Sequence, residues 1–183
     1  MVTTFIGLLT AHLLADFPLQ TDAVYSMKRQ GGWGTLLHAG IHAMMTALLI
    51  VHPWRWWPLV LAVGLSHFVV DSLKNRLRLR HQSLAFLSDQ AAHLLILAAL
   101  SVLTPSVPFR LPPHVLTLAA GYALIPLMLM LMALVWEDVF SPNTMRPSPV
   151  ARRLMRWSHI TGWPLVAVVL LGLMVPSRWL KAF

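Results

Sequence analysis

The chain has 183 residues, of which 57% are hydrophobic and 11% charged, and its mean hydropathy is +0.69. A soluble domain carries about 25% charged residues, so this chain cannot cover a water-facing surface of ordinary polarity, and a lipid bilayer is its expected partner. The net charge of +8 reads as membrane topology rather than nucleic-acid binding, and the absence of Cys excludes disulfides, thiolate metal sites and cysteine nucleophiles.

Six apolar runs follow one another along the chain: residues 5–17, 36–51, 57–70, 91–103, 115–135 and 161–175. Each approaches the ~17–25 residues that cross a bilayer as a helix. The expected fold is therefore an all-α polytopic membrane helix bundle of about six transmembrane helices. Residues 1–4 lack a basic n-region, so the first run is read as a retained span and not a cleaved signal. "HPWRWWP" (52–58) reads as a tight turn whose tryptophans suit the membrane interface. "TPSVPFRLPP" (104–113) is too Pro-rich for a helix. "SPNTMRPSP" (141–149) breaks the chain again, and residues 150–159 read as a short basic amphipathic helix lying on anionic lipid.

With six spans, one side of the membrane holds Lys28, Arg29, Lys74, Arg76, Arg78, Arg80, Arg146, Arg152, Arg153 and Arg156. The other holds Arg55, Arg110, Arg178 and Lys181. Basic residues concentrate in cytoplasmic loops, so the first set is placed in the cytoplasm and both termini outside.

A weak internal repeat is visible. "AHLLADFPLQ" and "SHFVVDSLKN" each end a span, and each is followed by a polar, basic connection. The next spans open with "HAGIH" and "DQAAH". Residues 1–103 thus read as a four-helix membrane core made of two similar helix pairs. Residues 104–183 add two further helices joined by a basic cytoplasmic loop.

The repeat carries four pairs at a spacing of four: His12/Asp16, His38/His42, His67/Asp71 and Asp89/His93. Residues four apart share one helix face, so two side chains can reach one ion. Nine His and six acidic residues placed at random in 183 would give about one such pair. All four pairs also fall near the cytoplasmic ends of their spans, at a similar depth. An Asp within a span costs ~2.5–3.5 kcal/mol, and such groups face the bundle interior and mark function. Three Asp and five His converging there call for a cation, and a divalent metal is the expected cofactor.

Eight ligands exceed the four of one zinc, so a dinuclear site bridged by an Asp is expected. Imidazole and carboxylate without thiolate suit Zn, Fe, Mn or Ni and do not choose among them; zinc is the expected metal, with iron or manganese as alternatives. Asp16, Asp71 and Asp89 are the candidate catalytic groups, and Gln20, Lys74 and Gln90 the candidate substrate-binding ones. Asp22, Gln82 and Ser88 read as wet helix ends. His52, His81 and His114 lie apart from the constellation, and His159 is a weak candidate.

"HLLADFPLQTD" with Lys28 downstream, then "HAGIH", "HFVVDSLK" and "SDQAAH", together resemble the small bacterial membrane proteins grouped as domain-of-unknown-function family 3307. The resemblance covers about residues 8–100. It implies that His12, Asp16, Gln20, His38, His42, His67, Asp71, Lys74, Asp89, Gln90 and His93 are the family's characteristic polar positions. It also implies a multi-pass protein of the bacterial inner membrane, and it names no activity.

The leading expectation is a metal-dependent hydrolase acting at the cytoplasmic face on an amphipathic or lipid-linked anionic substrate. The rim of Lys74, Arg76, Arg78 and Arg80 suits such an anion. A histidine-rich di-iron redox enzyme would use the same residue types, but carboxylate di-iron bundles use Glu, which the constellation lacks. A metal or proton transporter would need a polar path to the outer side. In a scaffold protein the metal would only hold the helices together. The oligomeric state is open, with a homo-oligomer among the options.

Overall fold

The computed structural model describes residues 1–77, 81–141 and 147–174. Among these, seven α-helices follow one another: α1 (Val2–Asp16), α2 (Asp22–Gln30), α3 (Trp33–Leu49), α4 (Trp57–Arg76), α5 (Gln82–Leu103), α6 (Pro113–Phe140) and α7 (Pro149–Met174). No strand occurs among the described residues. The nearest approach is a single antiparallel bridge between Ile50 and Phe109. Each of the six apolar runs is a helix, and α2 is an addition.

The sequence of α4 shows how the bundle is made. Leu59, Val63, His67 and Asp71 are buried, while Leu61, Leu65, Val69 and Leu73 are exposed. Both sets repeat every four residues, so the helix has two long faces. The exposed face is apolar and the buried one ends in a His and an Asp, the reverse of a water-soluble helix. The outward faces of α3, α5, α6 and α7 likewise carry exposed Leu, Val and Met. A surface of this kind is compatible with a lipid bilayer.

Three helices, α5, α6 and α7, are long and apolar enough to cross a membrane. The others fall short for identifiable reasons. At 1.5 Å per residue, α1 with 15 residues and α3 with 17 reach about 22 and 26 Å, against a hydrocarbon core of about 30 Å. Helix α4 has 20 residues, but its last third carries Asp71, Lys74 and Arg76.

The shortest of these helices is also the most enclosed. Nine of the fifteen residues of α1 are buried, and it packs against α3, α5 and α6. Such all-round burial marks a central helix. The helices around it cover most of its surface.

The chain ends of the spans sort into two groups. At one end the Met1 ammonium donates to the Pro105 carbonyl (2.6 Å). Val51 N–H donates to Pro108 O (2.9 Å), and Arg110 N–H to Leu49 O (2.8 Å). The Phe109 ring fills the space beside Gly7, where a Cβ would lie 2.3 Å from it. The expected turn at 52–58 is present as a 3-10 turn, Pro53–Arg55, entered through His52 at φ +55°. The opposite end gathers the last turns of α1, α4 and α6, the first turns of α3, α5 and α7, and all of α2.

Two connections differ from expectation. The linker after α1 is not an open polar loop but the short helix α2. Thr21 caps it by accepting from Val24 N–H (3.4 Å), and Gly31 and Gly32, both at positive φ, reverse the chain into α3. That reversal suits glycine, which adopts positive φ without steric cost. Close packing completes the fold-back: a Cβ on Gly34 would lie 2.0 Å from the Met27 carbonyl oxygen. The second difference is that residues 150–159 continue unbroken into α7. Buried Glu137 accepts from Ser148 N–H (2.9 Å), and Ser158 donates to Pro126 O (2.7 Å), so this segment is tied to α6. Arg78, Arg80, Arg146, Arg178 and Lys181 lie outside the described residues.

Candidate metal centre

All eight candidate ligands meet. They come from four helices, with α1 supplying His12 and Asp16, α3 His38 and His42, α4 His67 and Asp71, and α5 Asp89 and His93. Their ligand atoms fall into three groups, His12/His42/His67 and Asp16/His38/His42, which share His42, and Asp71/Asp89/His93, which shares no residue with them. Within each group the atoms lie within 4.8 Å of one another. The five imidazoles crowd together, with His42 and His67 stacked at 3.6 Å between ring centres and His67 and His93 at 4.2 Å. Apart from Asp16, which is partly buried, every one is buried.

The hydrogen bonds show that these contacts cannot be satisfied by neutral side chains alone. His38 Nε2 and His42 Nε2 each lie 3.1 Å from Asp16 Oδ1, and 3.2 Å from each other. A triangle of three contacts needs a proton on each edge. The ionised carboxylate brings none, and each neutral imidazole brings at most one to its Nε2. If both do, two N–H groups face each other; if one does, a lone pair faces the carboxylate. A cation at the centre lets all three lone pairs point inward.

His12 and His67 pose the same problem. His67 Nδ1–H donates to the Val63 carbonyl (2.9 Å), which leaves its Nε2 as a bare acceptor. That Nε2 lies 2.9 Å from His12 Nδ1. His12 Nε2 faces two acceptors, Gln90 Oε1 and Asp16 Oδ2, each at 3.4 Å. A neutral His12 has one proton for both sides. Either it carries a second proton or a metal ion replaces the missing one.

The spacings fit an ion. Bonds of about 2.0–2.1 Å to a tetrahedral metal separate its ligand atoms by about 3.3–3.4 Å, and octahedral bonds of about 2.2 Å separate them by about 3.1 Å. The Asp16/His38/His42 triangle, at 3.1–3.2 Å, falls at this scale. His67 is oriented from behind by a backbone carbonyl, as metal-binding imidazoles usually are. His38, His42 and His93 differ, since their Nδ1 atoms are buried without a hydrogen-bond partner.

The third group has a different electrostatic setting. Lys28 Nζ lies 2.7 Å from Asp71 Oδ1, and Lys74 Nζ donates to Asp89 Oδ2 at 2.6 Å. Beyond this ion pair the Asp71 oxygens have only the Nε2 atoms of His38 and His93, each at 3.8 Å. His93 Nε2 stands 3.8 Å from Asp71 Oδ1 and 3.6 Å from Asp89 Oδ1. Burial alone would lower the pKa of the Lys28 ammonium, but the charges of Asp71, Asp16 and Asp89 outweigh it and hold the pKa above the ordinary lysine value.

The expected substrate-binding residues are placed unequally. Gln90 is buried, and its amide is engaged between Asp16 Oδ2, to which it donates (3.0 Å), and His12. Lys74 is held on Asp89. Gln20 is half-buried in the link between α1 and α2, and among the described residues no hydrogen bond joins it to the cluster. Gln82 and Ser88 are exposed, as wet helix ends should be.

The spacing of the sequence does not reveal three contacts at the site: Lys28 is the partner of Asp71, and Asn75 with Thr35 holds Lys28 in place. Asn75 Nδ2 and Thr35 Oγ1 both donate to the Lys28 carbonyl, at 2.9 and 3.4 Å. The "GG" at 31–32 is the signal that the chain doubles back and brings Lys28 over the cluster.

A helix bundle with an apolar exterior and a buried His/Asp cluster, built on the central α1 and three helices beside it, is the class this molecule defines. The chain belongs to the family described as "Protein of unknown function (DUF3307)", which it matches over residues 4–118. The match contains every candidate ligand and ends in the first turns of α6. No curated protein and no solved structure matches the chain.

Proposed function

We infer that this is a multi-pass protein of the bacterial inner membrane with a divalent-metal centre near its cytoplasmic face, and that it is a hydrolase for an amphipathic or lipid-linked anionic substrate. The observation that carries the metal is the unsatisfiable contact set around Asp16, His38 and His42. The apolar outer faces support the bilayer. Among the described residues, Lys28, Lys74, Arg76, Arg152, Arg153 and Arg156 at the cluster's end against Arg55 and Arg110 at the other support its cytoplasmic orientation. All six long helices would then cross, the shorter ones beside thicker neighbours, and both termini would lie outside.

A divalent ion supplies a nucleophile at neutral pH by lowering the pKa of its water from 15.7 to about 7. The protein's own part is then positional. Asp16, on the face of α1 turned to α3, is set by two imidazoles and by Gln90. Asp71 and Asp89 can accept a proton from the attacking water or hold a further ion. Two ligand groups joined through His42 and a separate third one suit two ions, with zinc as the first choice and iron or manganese as alternatives. The lysines supply positive charge where an anionic head group would approach.

Two other readings are weaker on specific grounds. No Glu joins the cluster, which disfavours the carboxylate di-iron pattern. Leu8, Ile50, Leu59, Val63, Leu97 and Val107 pack into one apolar cluster on the far side of the histidines, which disfavours a transport path.

The test is elemental analysis of detergent-purified protein beside His42→Ala. Zinc or manganese bound to wild type and lost in the variant supports the hydrolase, to be followed by chromogenic phosphate and carboxylate esters in mixed micelles. Iron would favour redox chemistry. A monodisperse wild-type protein that holds no metal after zinc, manganese and iron are each supplied would overturn the reading.

A further inference from the structure

The eight ligands are not electrostatically equivalent. On the histidine side, Asp16 is surrounded by His12, His38, His42 and Gln90, and among the described residues no lysine or arginine forms an ion pair with it. On the other side, Asp71 and Asp89 each hold a lysine, so two carboxylates face two ammonium groups. The first side lacks a positive charge, while the second already has two.

We propose that Asp71, Asp89 and His93 form a second cation position which Lys28 and Lys74 occupy in place of a metal, so that the chain takes its first ion at Asp16 and the neighbouring histidines and a second only by displacing the lysines. This rests on the metal reading above and deepens it: the dinuclear state is a gated one.

The geometry points the same way. Asp71 is fully buried, and both its oxygens, together with Asp89 Oδ1, take no hydrogen bond. Apart from the Lys28 ammonium on Asp71 Oδ1, these oxygens have only imidazole Nε2 atoms near them, at 3.6–3.8 Å from His93 and His38, so a cation among them would meet three carboxylate oxygens and an imidazole. The two lysines are held differently. The Lys28 side chain is 10% exposed, and its own backbone is pinned by Asn75 and Thr35. The Lys74 side chain is 33% exposed, at the rim. Lys74 can swing into water at little cost, whereas moving Lys28 requires a buried ammonium to find another partner. Lys74 is therefore the gate and Lys28 the standing counter-charge.

The experiment is a cobalt(II) titration of metal-stripped protein in detergent, with bound ions counted by elemental analysis after equilibrium dialysis. Wild type should take one ion, and a second only at a free concentration at least about tenfold higher. Lys74→Met should lower the second midpoint by at least about tenfold and leave the first unchanged, and Lys28→Met/Lys74→Met should lower it further. Asp71→Asn/Asp89→Asn should abolish the second ion alone. If the Lys28 variant fails to fold, Lys74→Met carries the test. Two ions bound with a single midpoint in wild type, or a second midpoint unmoved by Lys74→Met, would overturn the gate while leaving the metal centre standing. No ion bound by wild type would overturn the metal reading, and this inference with it.

Discussion

The buried faces of α3, α4 and α5, and the core of α1, change character half-way along the bundle. Towards the Met1 end they carry Leu8, Leu59, Val63 and Leu97, closed over by Ile50 and Val107. Towards the α2 end they carry His12, His38, His42, His67, Asp71, Asp89 and His93. On α4 the change takes one turn, from Val63 to His67. In a bilayer the two halves differ in what holds them. Lipid tails are as apolar as Leu, so the Leu half gains packing but little hydrophobic drive. A bare Asp in lipid costs about 2.5–3.5 kcal/mol, so separating the His/Asp half is strongly unfavourable. The polar half should therefore be the one that depends on a cation, and the apolar half should not.

The largest effect expected from this contrast is on metal uptake. Asp16→Ala removes the carboxylate that His38 and His42 share, and should weaken the first ion by more than about 100-fold, beyond the 10–100-fold typical of supporting residues. Leu97→Ala, fully buried on α5 and one turn beyond His93 towards the apolar end, should leave metal content unchanged. Its cost should be near about 2 kcal/mol, the low end for core truncations, because lipid keeps part of the transfer term. Metal content and thermal unfolding of the two variants check this. A Leu97→Ala protein without metal would mean that the halves are not separable.

Next in size is chelation. An ion held at a free concentration 1,000 times its dissociation constant stabilises by about 4.1 kcal/mol. Removing it should lower the unfolding temperature of wild type and of Leu97→Ala by the same amount, and leave Asp16→Ala unmoved. Equal sensitivity in all three would place the chelator's action elsewhere.

The legibility of the molecule divides along the same line. The eight ligands could be read from the sequence because each pair sits four residues apart on one helix, a local spacing that the fold preserves. Their placement at a common depth followed from the alternation of spans. Lys28 could not be placed this way. Its contact with Asp71 bridges 43 residues and depends on α2 doubling back at Gly31–Gly32, and the linker's polarity concealed a helix. The continuity of α7 was hidden for a similar reason: its basic first turns and Pro164 suggest an interruption, and only the bonds from α6 show what holds it together. The central place of α1 is not legible in the short run at 5–17, because enclosure by α3, α5 and α6 depends on contacts distant in sequence.

A smaller effect tests the fold-back directly. Gly34→Ala would drive a Cβ against the Met27 carbonyl, so α2 must move and Lys28 with it. Gly40, on the same helix, has open space where a Cβ would stand, with nothing within 4 Å, and Gly40→Ala should be neutral or stabilise by up to about 1 kcal/mol. Gly34→Ala should unfold at lower temperature and, if Lys28 guards the second position, bind a second cobalt ion more readily than Gly40→Ala does. Identical behaviour of the two alanine variants would mean that α2 is not held where its packing places it.

The smallest effect concerns the entry to α5, where the polar half meets the surface. The N-cap position of α5, His81, supplies no capping side chain. Asp138 near the end of α6 does so instead, accepting from the backbone N–H groups of Gln82 and Ser83 at 2.8 Å each and from the Ser83 hydroxyl. A carboxylate there also meets the positive end of the helix dipole. Loss of a cap costs about 1 kcal/mol, worth about 2–4 °C in a chain of this size. Asp138→Ala should therefore lower the unfolding temperature slightly, speed amide exchange in the first turn of α5, and leave metal uptake intact, because Asp89 lies about two turns further in. Asp138→Asn should recover part of the loss, since it keeps an acceptor without the charge. A tenfold fall in metal affinity in Asp138→Ala would instead tie the surface cap to the position of Asp89, and would extend the cation-dependent half of the bundle out to the ends of its helices.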